Sequence, residues 1–190
     1  MRVSREQAIK NREHVVDTAA KLFREHGYSG IGVADLMKAA GLTHGGFYGN
    51  FGSKEALMAE ACARAFEGSI ETWNKLAAKD TNLALEAISA AYLSRRHVAN
   101  PGRGCAVAAL GADVARLSPP VRDALTEGVR KQLDQLTALM PPGSAAEQRK
   151  AAMVAYASMV GAMVMARAVN DPALADELLG TVQCAVTAGV

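Results

Sequence analysis

The chain has 190 residues and a mass of 19.9 kDa; half of its residues are hydrophobic and only 5% aromatic. That is ample material for a core, of a kind that favours helix over sheet. Charged residues make up 21% and the net charge is +2, which excludes wholesale disorder and gives no nucleic-acid signal by composition alone.

The first 54 residues carry eight basic side chains against five acidic, so the mild positive charge lies at the front. Cys62, Cys105 and Cys184 are far apart, with no CxxC and no metal-ligand spacing. A reduced cytosol, no metal and no cofactor are the expectation. The charged N-terminal stretch MRVSREQAIKNREHVVD has no apolar signal core.

In chain order, Ser4 with Gln7 is a capping-box pattern. Ala8, Ile9, Val15, Val16, Ala19, Leu22 and Phe23 then recur at helical spacing, and Gly27 ends that helix. A short helix is expected over 33–40, stopping at Gly41, and a second over 44–50, capped by Thr43. Ser53 caps a long helix from Lys54 to about Lys79. Another helix spans roughly 81–98, broken by Asn100-Pro101-Gly102. One of about ten residues follows Gly104. Ser118-Pro119-Pro120 opens a helix to Met140, ended by Pro141-Pro142-Gly143. Ser144 and Glu147 form a capping box for a helix to about Val169, and Asp171-Pro172 caps the last, to residue 189. No β-branched alternation occurs, so the expected fold is all-α, about nine helices. The apolar run Ala151 to Ala166 is 16 residues, shorter than the roughly 20 of a membrane span, and reads as a buried helix.

Two short helices separated by a glycine turn are helix-turn-helix geometry, in which the second helix enters the major groove. Small Ala34, Ala39 and Ala40 let the pair cross closely; Leu36, Leu42, Phe47 and Phe51 pin it to the first helix.

The string AAGLTHGGFYGNFGSKEAL, directly behind an N-terminal helix, resembles the DNA-binding segment of the tetracycline-repressor (TetR) family of bacterial transcriptional regulators. Ala40, Gly41, Leu42, Thr43, Phe47, Tyr48, Phe51, Ser53, Lys54, Glu55 and Leu57 match the family pattern in register, and the motif covers about residues 8–60. The resemblance implies a DNA-binding unit over 1–53 and a ligand-binding and dimerisation unit over 54–190. It implies that Thr43, His44, Gly45 and Gly46 face base edges, with Tyr48 and Lys54 on phosphates. A lysine in the first turn of a helix is unfavourable unless an anion is near, which fits the phosphate role. Departures are His44 where lysine is frequent, Gly49 and Asn50 where Arg, His or Tyr is common, and Met37 in place of alanine.

By the same resemblance, helices 145–169 and 171–189 pair with their two-fold mates as a four-helix seam, with Ala157, Gly161 and Ala162 allowing close contact. The implied partners are a second copy, an inverted-repeat double-stranded DNA operator and a small effector, with no membrane. The middle helices enclose the effector cavity, lined by Met58, Cys62, Phe66, Trp73, Tyr92, Met140, Met159 and Met163. The scarcity of charge there points to a largely apolar effector. Cys105, behind Gly102-Arg103-Gly104 at a helix start, is the candidate reactive thiol of an oxidant- or electrophile-sensing regulator, while Cys62 and Cys184 read as core. An enzyme would need something like a Cys105–His97 nucleophile–base pair, but no oxyanion element accompanies it.

Overall fold

A computed structural model describes residues 4–188, which form ten α-helices and one 3-10 turn, with no strand among the described residues. The helices are α1 (Arg5–His26), α2 (Val33–Ala39), α3 (Gly45–Asn50), α4 (Lys54–Ala77) and α5 (Ala84–Tyr92). After α6 (Arg95–Ala99) and the 3-10 turn Pro101–Arg103 come α7 (Ala106–Val114), α8 (Pro119–Thr137), α9 (Ala145–Ala168) and α10 (Pro172–Thr187). The fold is all-α.

Most boundaries sit where the caps put them. Ser4 and Ser53 each accept the amide three residues on, Asp171 accepts those of Ala173 and Leu174, and Ser144 with Glu147 closes a reciprocal capping box. Ser118 opens α8 without a side-chain bond; the amide three residues on, that of Val121, donates to the Ser118 carbonyl instead at 3.2 Å.

The expected helix over 81–98 is two. Asp80 takes the amide of Asn82 in a local turn, so the helix starts at Ala84. Leu93 leaves helical geometry (φ −87°, ψ 51°), and Ser94 caps α6 by accepting the amide of His97 at 3.2 Å. That break raises the helix count from nine to ten. α8 ends at Thr137 rather than Met140, because its last turn tightens to i→i+3 bonds ahead of Pro141. The expected end of the last helix, at 189, lies outside the described residues.

Two main cores divide the interior. One joins Val15, Ala19, Phe23 and Tyr28 of the front to Leu36, Met37, Phe47 and Phe51, and continues into Leu57, Met58 and Ala61 of α4 and Leu110 and Val114 of α7. The other gathers Trp73, Ile88, Tyr92, Cys105, Leu136, Tyr156, Met159 and Met163. α4 spans both, so its two halves belong to different cores.

α9 is long and apolar enough by composition to cross a membrane. Its stripe Ala152, Ala155, Tyr156, Met159, Ala162, Met163 and Ala166 is buried instead within the chain's own second core.

Candidate nucleic-acid interface and regulatory core

α2 ends in a Schellman turn: Gly41 N–H donates to Lys38 O at 3.0 Å and Leu42 N–H to Met37 O at 2.9 Å. The turn needs a left-handed residue, and Gly41 supplies it with φ 68°. The chain then enters α3, anchored by buried Phe47, whose ring stacks on that of Phe51 at 5.6 Å. Because Phe47 points inward, its neighbour Tyr48 points out and is 68% exposed. Tyr48 is held edge-on by Phe47 and His44, at 5.2 and 5.9 Å between ring centroids.

Thr43 does not cap α3. His44 adopts helical dihedrals (φ −54°, ψ −38°) in the N-cap position, and no side chain accepts from the first turn. Thr43 contributes its carbonyl to Gly46 N–H at 3.0 Å and leaves its side chain on the surface. A Cβ on Gly45 would meet nothing within 4 Å, and one on Gly46 would make ordinary contact with Met37 Cε at 3.7 Å. The interior therefore requires neither glycine. Met37, the departure from alanine, is fully buried, with Gly46 above it. Asn50 folds back to donate to Gly46 O at 2.7 Å.

Lys54 has partners within the chain. Its ammonium donates to Tyr28 O at 2.8 Å and Ile31 O at 2.7 Å, over the Phe23 ring. These two carbonyls account for a cation in the first turn of α4, so its position no longer argues for a nearby phosphate. No composition or spacing signal points to this clamp on the 28–31 loop.

The expected effector-lining residues, taken with Cys105, are divided among the cores. Cys62 and Phe66 pack with Ala65 and Ala106; Trp73, Tyr92, Cys105, Met159 and Met163 pack in the second core. Two of the clefts among the described residues bear on these positions. One, about 390 Å³, lies between α4 and α8, over Phe66, Ile70 and Gly128, with Glu67, Glu71, Glu127 and Lys131 at its rim. The other, about 340 Å³, lies at the α8–α9 turn beside Met140 and Val186. Phe66 and Met140 are the expected lining residues that reach a cleft. The rest are packed side chain on side chain, as the Trp73 ring is against Tyr92 and Tyr156. Met58 belongs to the first core. The first cleft is more acidic at its rim than the sequence suggests.

Cys62 is buried, and burial pushes its thiol pKa up despite the Tyr28 hydroxyl and Arg24 beside it. Cys184 is exposed on α10, contrary to its expected place in the core, because that helix face has no partner within the chain. Cys105 is 3% exposed and starts α7. Its own N–H donates to His97 Nε2 at 2.9 Å, and His97 Nδ1 lies 2.7 Å from Tyr92 O. His97 is thus a neutral ring with its acceptor nitrogen occupied by a backbone amide. It cannot take the thiol proton, which removes the nucleophile–base arrangement.

The loop carrying Cys105 is gripped from both sides. Arg24 of α1 donates to Gly102 O through Nε at 3.1 Å and through Nη2, and Arg167 of α9 donates to His97 O at 2.8 Å. A Cβ on Gly102 would collide with Glu25, and one on Gly104 with His97 and Arg167. Both glycines are there for close approach. In the sequence, Arg24 and Arg167 are no more than basic residues at helix ends, and nothing there signals the grip.

α9 also carries a second stripe. Met153, Val154, Val164 and Met165 are 38–48% exposed, around Ala157 and Gly161, where a Cβ would meet nothing within 4 Å. Ala162, expected on this face, is fully buried on the other, one residue round the helix.

The family model described as "Bacterial regulatory proteins, tetR family" matches residues 15–61, and that described as "Tetracyclin repressor-like, C-terminal domain" matches residues 83–182. The HTH-type transcriptional repressor NemR of Escherichia coli K12 is 28% identical over 166 residues, 82% of this chain and 83% of the relative. The HTH-type transcriptional repressor DhaR of Mycobacterium sp. strain GP1 is 29% identical over 114 residues, 60% of this chain and 57% of the relative. Solved structures share the fold. E. coli NemR in its reduced form has a TM-score of 0.79 at 24% identity, covering 94% of this chain and 96% of that one. A TetR-family regulator from Cytophaga hutchinsonii has 0.81 at 20% identity, covering 99% and 98%. With a helix-turn-helix built as described, and with matched models over both the front and the larger part of the chain, this protein belongs to the tetR family of bacterial regulatory proteins: it is a DNA-binding transcription regulator and not an enzyme.

Proposed function

We propose that the chain is a dimeric repressor that binds an inverted-repeat operator through one α3 per subunit and is released by a small effector. The supporting observation is the face of α3. Tyr48 stands out from it, and Gly45 and Gly46 expose backbone that the interior does not require to be bare. Such a face can approach base edges closely, with Thr43 and His44 beside it, while the Tyr48 hydroxyl takes a phosphate. Lys54 still has a third N–H for a phosphate after its two carbonyl bonds. Residues 1–53 serve reading and 54–190 serve control, with α4 shared between them. The relatives named as repressors support the sign of regulation.

The dimer reading rests on the second stripe of α9. A helix apolar on two faces needs a second body against the outer one. A two-fold mate places small Ala157 and Gly161 at the crossing, and α10, with exposed Leu174 and Cys184, joins the seam.

For the effector, the α4–α8 cleft offers an apolar floor under an acidic rim, which suits a small molecule with an apolar body. A thiol-controlled release is the second reading. It is favoured by Cys105 at the head of α7, between two guanidiniums, and by a relative whose structure is of a reduced form. Both readings place the protein in the cytoplasm. A gel shift with DNA from upstream of its own gene, followed by footprinting, tests the proposal. Two protected half-sites related by a two-fold axis are expected; an asymmetric footprint from a monomer overturns it. Tyr48→Phe is expected to weaken all sequences alike, since phosphates carry no base identity.

A further inference from the structure

One fully buried polar side chain ties three helices together. Gln132 of α8 is 0% exposed. Its amide nitrogen donates to Ser69 Oγ of α4 at 2.8 Å, and its amide oxygen accepts from the Tyr156 hydroxyl of α9. The same side of α8 meets α4 in two further layers. One turn before, Gly128 lies so close to the Phe66 ring that a Cβ there would collide with it. One turn after, Gln135 donates to Ile70 O at 3.2 Å and to Asn74 Oδ1 at 2.7 Å. The first half of α4 is tied elsewhere, to α1 and the loop behind it. Glu60 pairs with Arg12 at 2.7 Å, Arg64 with Asp17 at 2.5 Å, and Lys54 holds the carbonyls of Tyr28 and Ile31. Gly68, where a Cβ would meet nothing within 4 Å, separates the two sets of ties.

We infer that Ser69, Gln132 and Tyr156 are positioning residues for DNA binding: they fix the register of α4 on α9, and with it the spacing of the two reading helices. An apolar contact such as Phe66 on Gly128 survives a small slide of one helix past another. A buried amide does not, because a slide leaves its donor and acceptor unpaired away from water. Its contribution is to arrangement more than to stability, as for a polar residue that sets the register of a coiled coil. The bonds begin beside the proposed two-fold crossing, since Tyr156 directly precedes Ala157. They end on α4, whose first half shares a core with Phe47 and Phe51 of the reading unit. Loosening them therefore frees each reading unit to shift against the seam while both cores stay packed. The inference rests on the two-fold operator reading above.

The test compares wild type with the triple variant Ser69→Ala, Gln132→Leu, Tyr156→Phe, which removes every partner at once and so leaves no orphaned polar group in this chain of bonds. Wild-type helix content is the control for folding. In the first arm, the operator footprinted upstream of the protein's own gene is remade with one base pair added to or removed from its centre. One base pair moves a half-site by about 3.4 Å and turns it by about 34–36°. Wild type is expected to lose at least about tenfold in affinity for either altered operator, and the variant at most about threefold. The second arm uses no DNA. Nitroxides on Glu55→Cys and Lys150→Cys, in a Cys184→Ser background that leaves only the buried Cys62 and Cys105, report the distance from α4 to α9 in chains diluted with unlabelled protein. The distance distribution is expected to be narrow in wild type and broader in the variant. Spacing discrimination equal to that of wild type overturns the inference, whether or not the distribution broadens. If wild type shows no two-fold operator, the repressor reading falls, and the distance arm alone decides whether these residues fix α4 on α9: equal widths overturn that too. Tyr156→Phe, which removes one oxygen from a packed ring, takes the place of the triple variant in both arms, with the same directions expected, if the triple variant fails to fold.

Discussion

Replacing Lys54 by methionine keeps the apolar stem and removes the ammonium that ties α4 to the 28–31 loop. Two bonds are lost, to Tyr28 O at 2.8 Å and Ile31 O at 2.7 Å. A hydrogen bond with a charged partner contributes about 1.5–3 kcal/mol. Lys54 is half-buried, so solvent replaces part of each, and the pair together stabilises by about 2–3 kcal/mol. For a chain of this length that is a fall in Tm of about 4–12 °C. The assay is thermal unfolding of the free protein at fixed concentration, beside the salt dependence of DNA binding. The stability loss is expected without any DNA present. An unchanged Tm, with the log–log salt slope reduced by about one, refutes it; Lys54 would then serve phosphate alone.

Gly128→Ala places a methyl group on the Phe66 ring, between α8 and α4. Overpacking of this kind costs about 1–3 kcal/mol, so Tm is expected to drop by about 2–12 °C, and the α4–α8 cleft should lose affinity for any effector it holds. Burial, chiefly, and the charges of Arg167 and Arg24 hold the His97 pKa below 6.5, against the Tyr92 carbonyl, which favours the protonated ring. Below pH 6.5 the unfolded chain therefore binds the extra proton more readily. The stability linked to His97 is full above that pH and is lost as pH falls toward its lower folded pKa. Denaturant midpoints between pH 7.5 and 5 should show this slope in wild type, and His97→Gln should flatten it. Gly161→Glu puts a charge at the centre of the exposed α9 stripe; sedimentation is expected to show a monomer of unchanged helix content.

Capping residues make most of the helix ends legible in the sequence. Ser4, Ser53, Ser144 and Asp171 each accept the amides that their position demands. Helical spacing misleads where a polar side chain competes with a helix from inside, as Ser94 does when it splits 81–98 into two. In the interface, the exposed Tyr48 beside the buried Phe47 follows from helical spacing. The Thr43 cap does not, because whether a residue caps depends on the dihedrals of the next one. Lys54, Arg24 and Arg167 are illegible for a common reason. Each reaches a backbone carbonyl far along the chain, and carbonyls leave no mark in the sequence. The lining of a cavity is ambiguous in the sequence for a different reason. Met and aromatic residues on inward faces line a cavity or fill it, and only the pairwise packing in the fold, as of Trp73 with Tyr92 and Tyr156, distinguishes the two.

The proposed function requires two copies of α3 to read an inverted repeat. Enrichment of operator-sized fragments from random double-stranded DNA by the purified protein tests it directly, with the stoichiometry of the selected complex measured by mass. The expected result is a palindromic consensus with half-site centres about 34–36 Å apart or somewhat more, held by protein in multiples of two, and lost in Gly161→Glu. A consensus without two-fold symmetry, or one bound by a single chain, contradicts it.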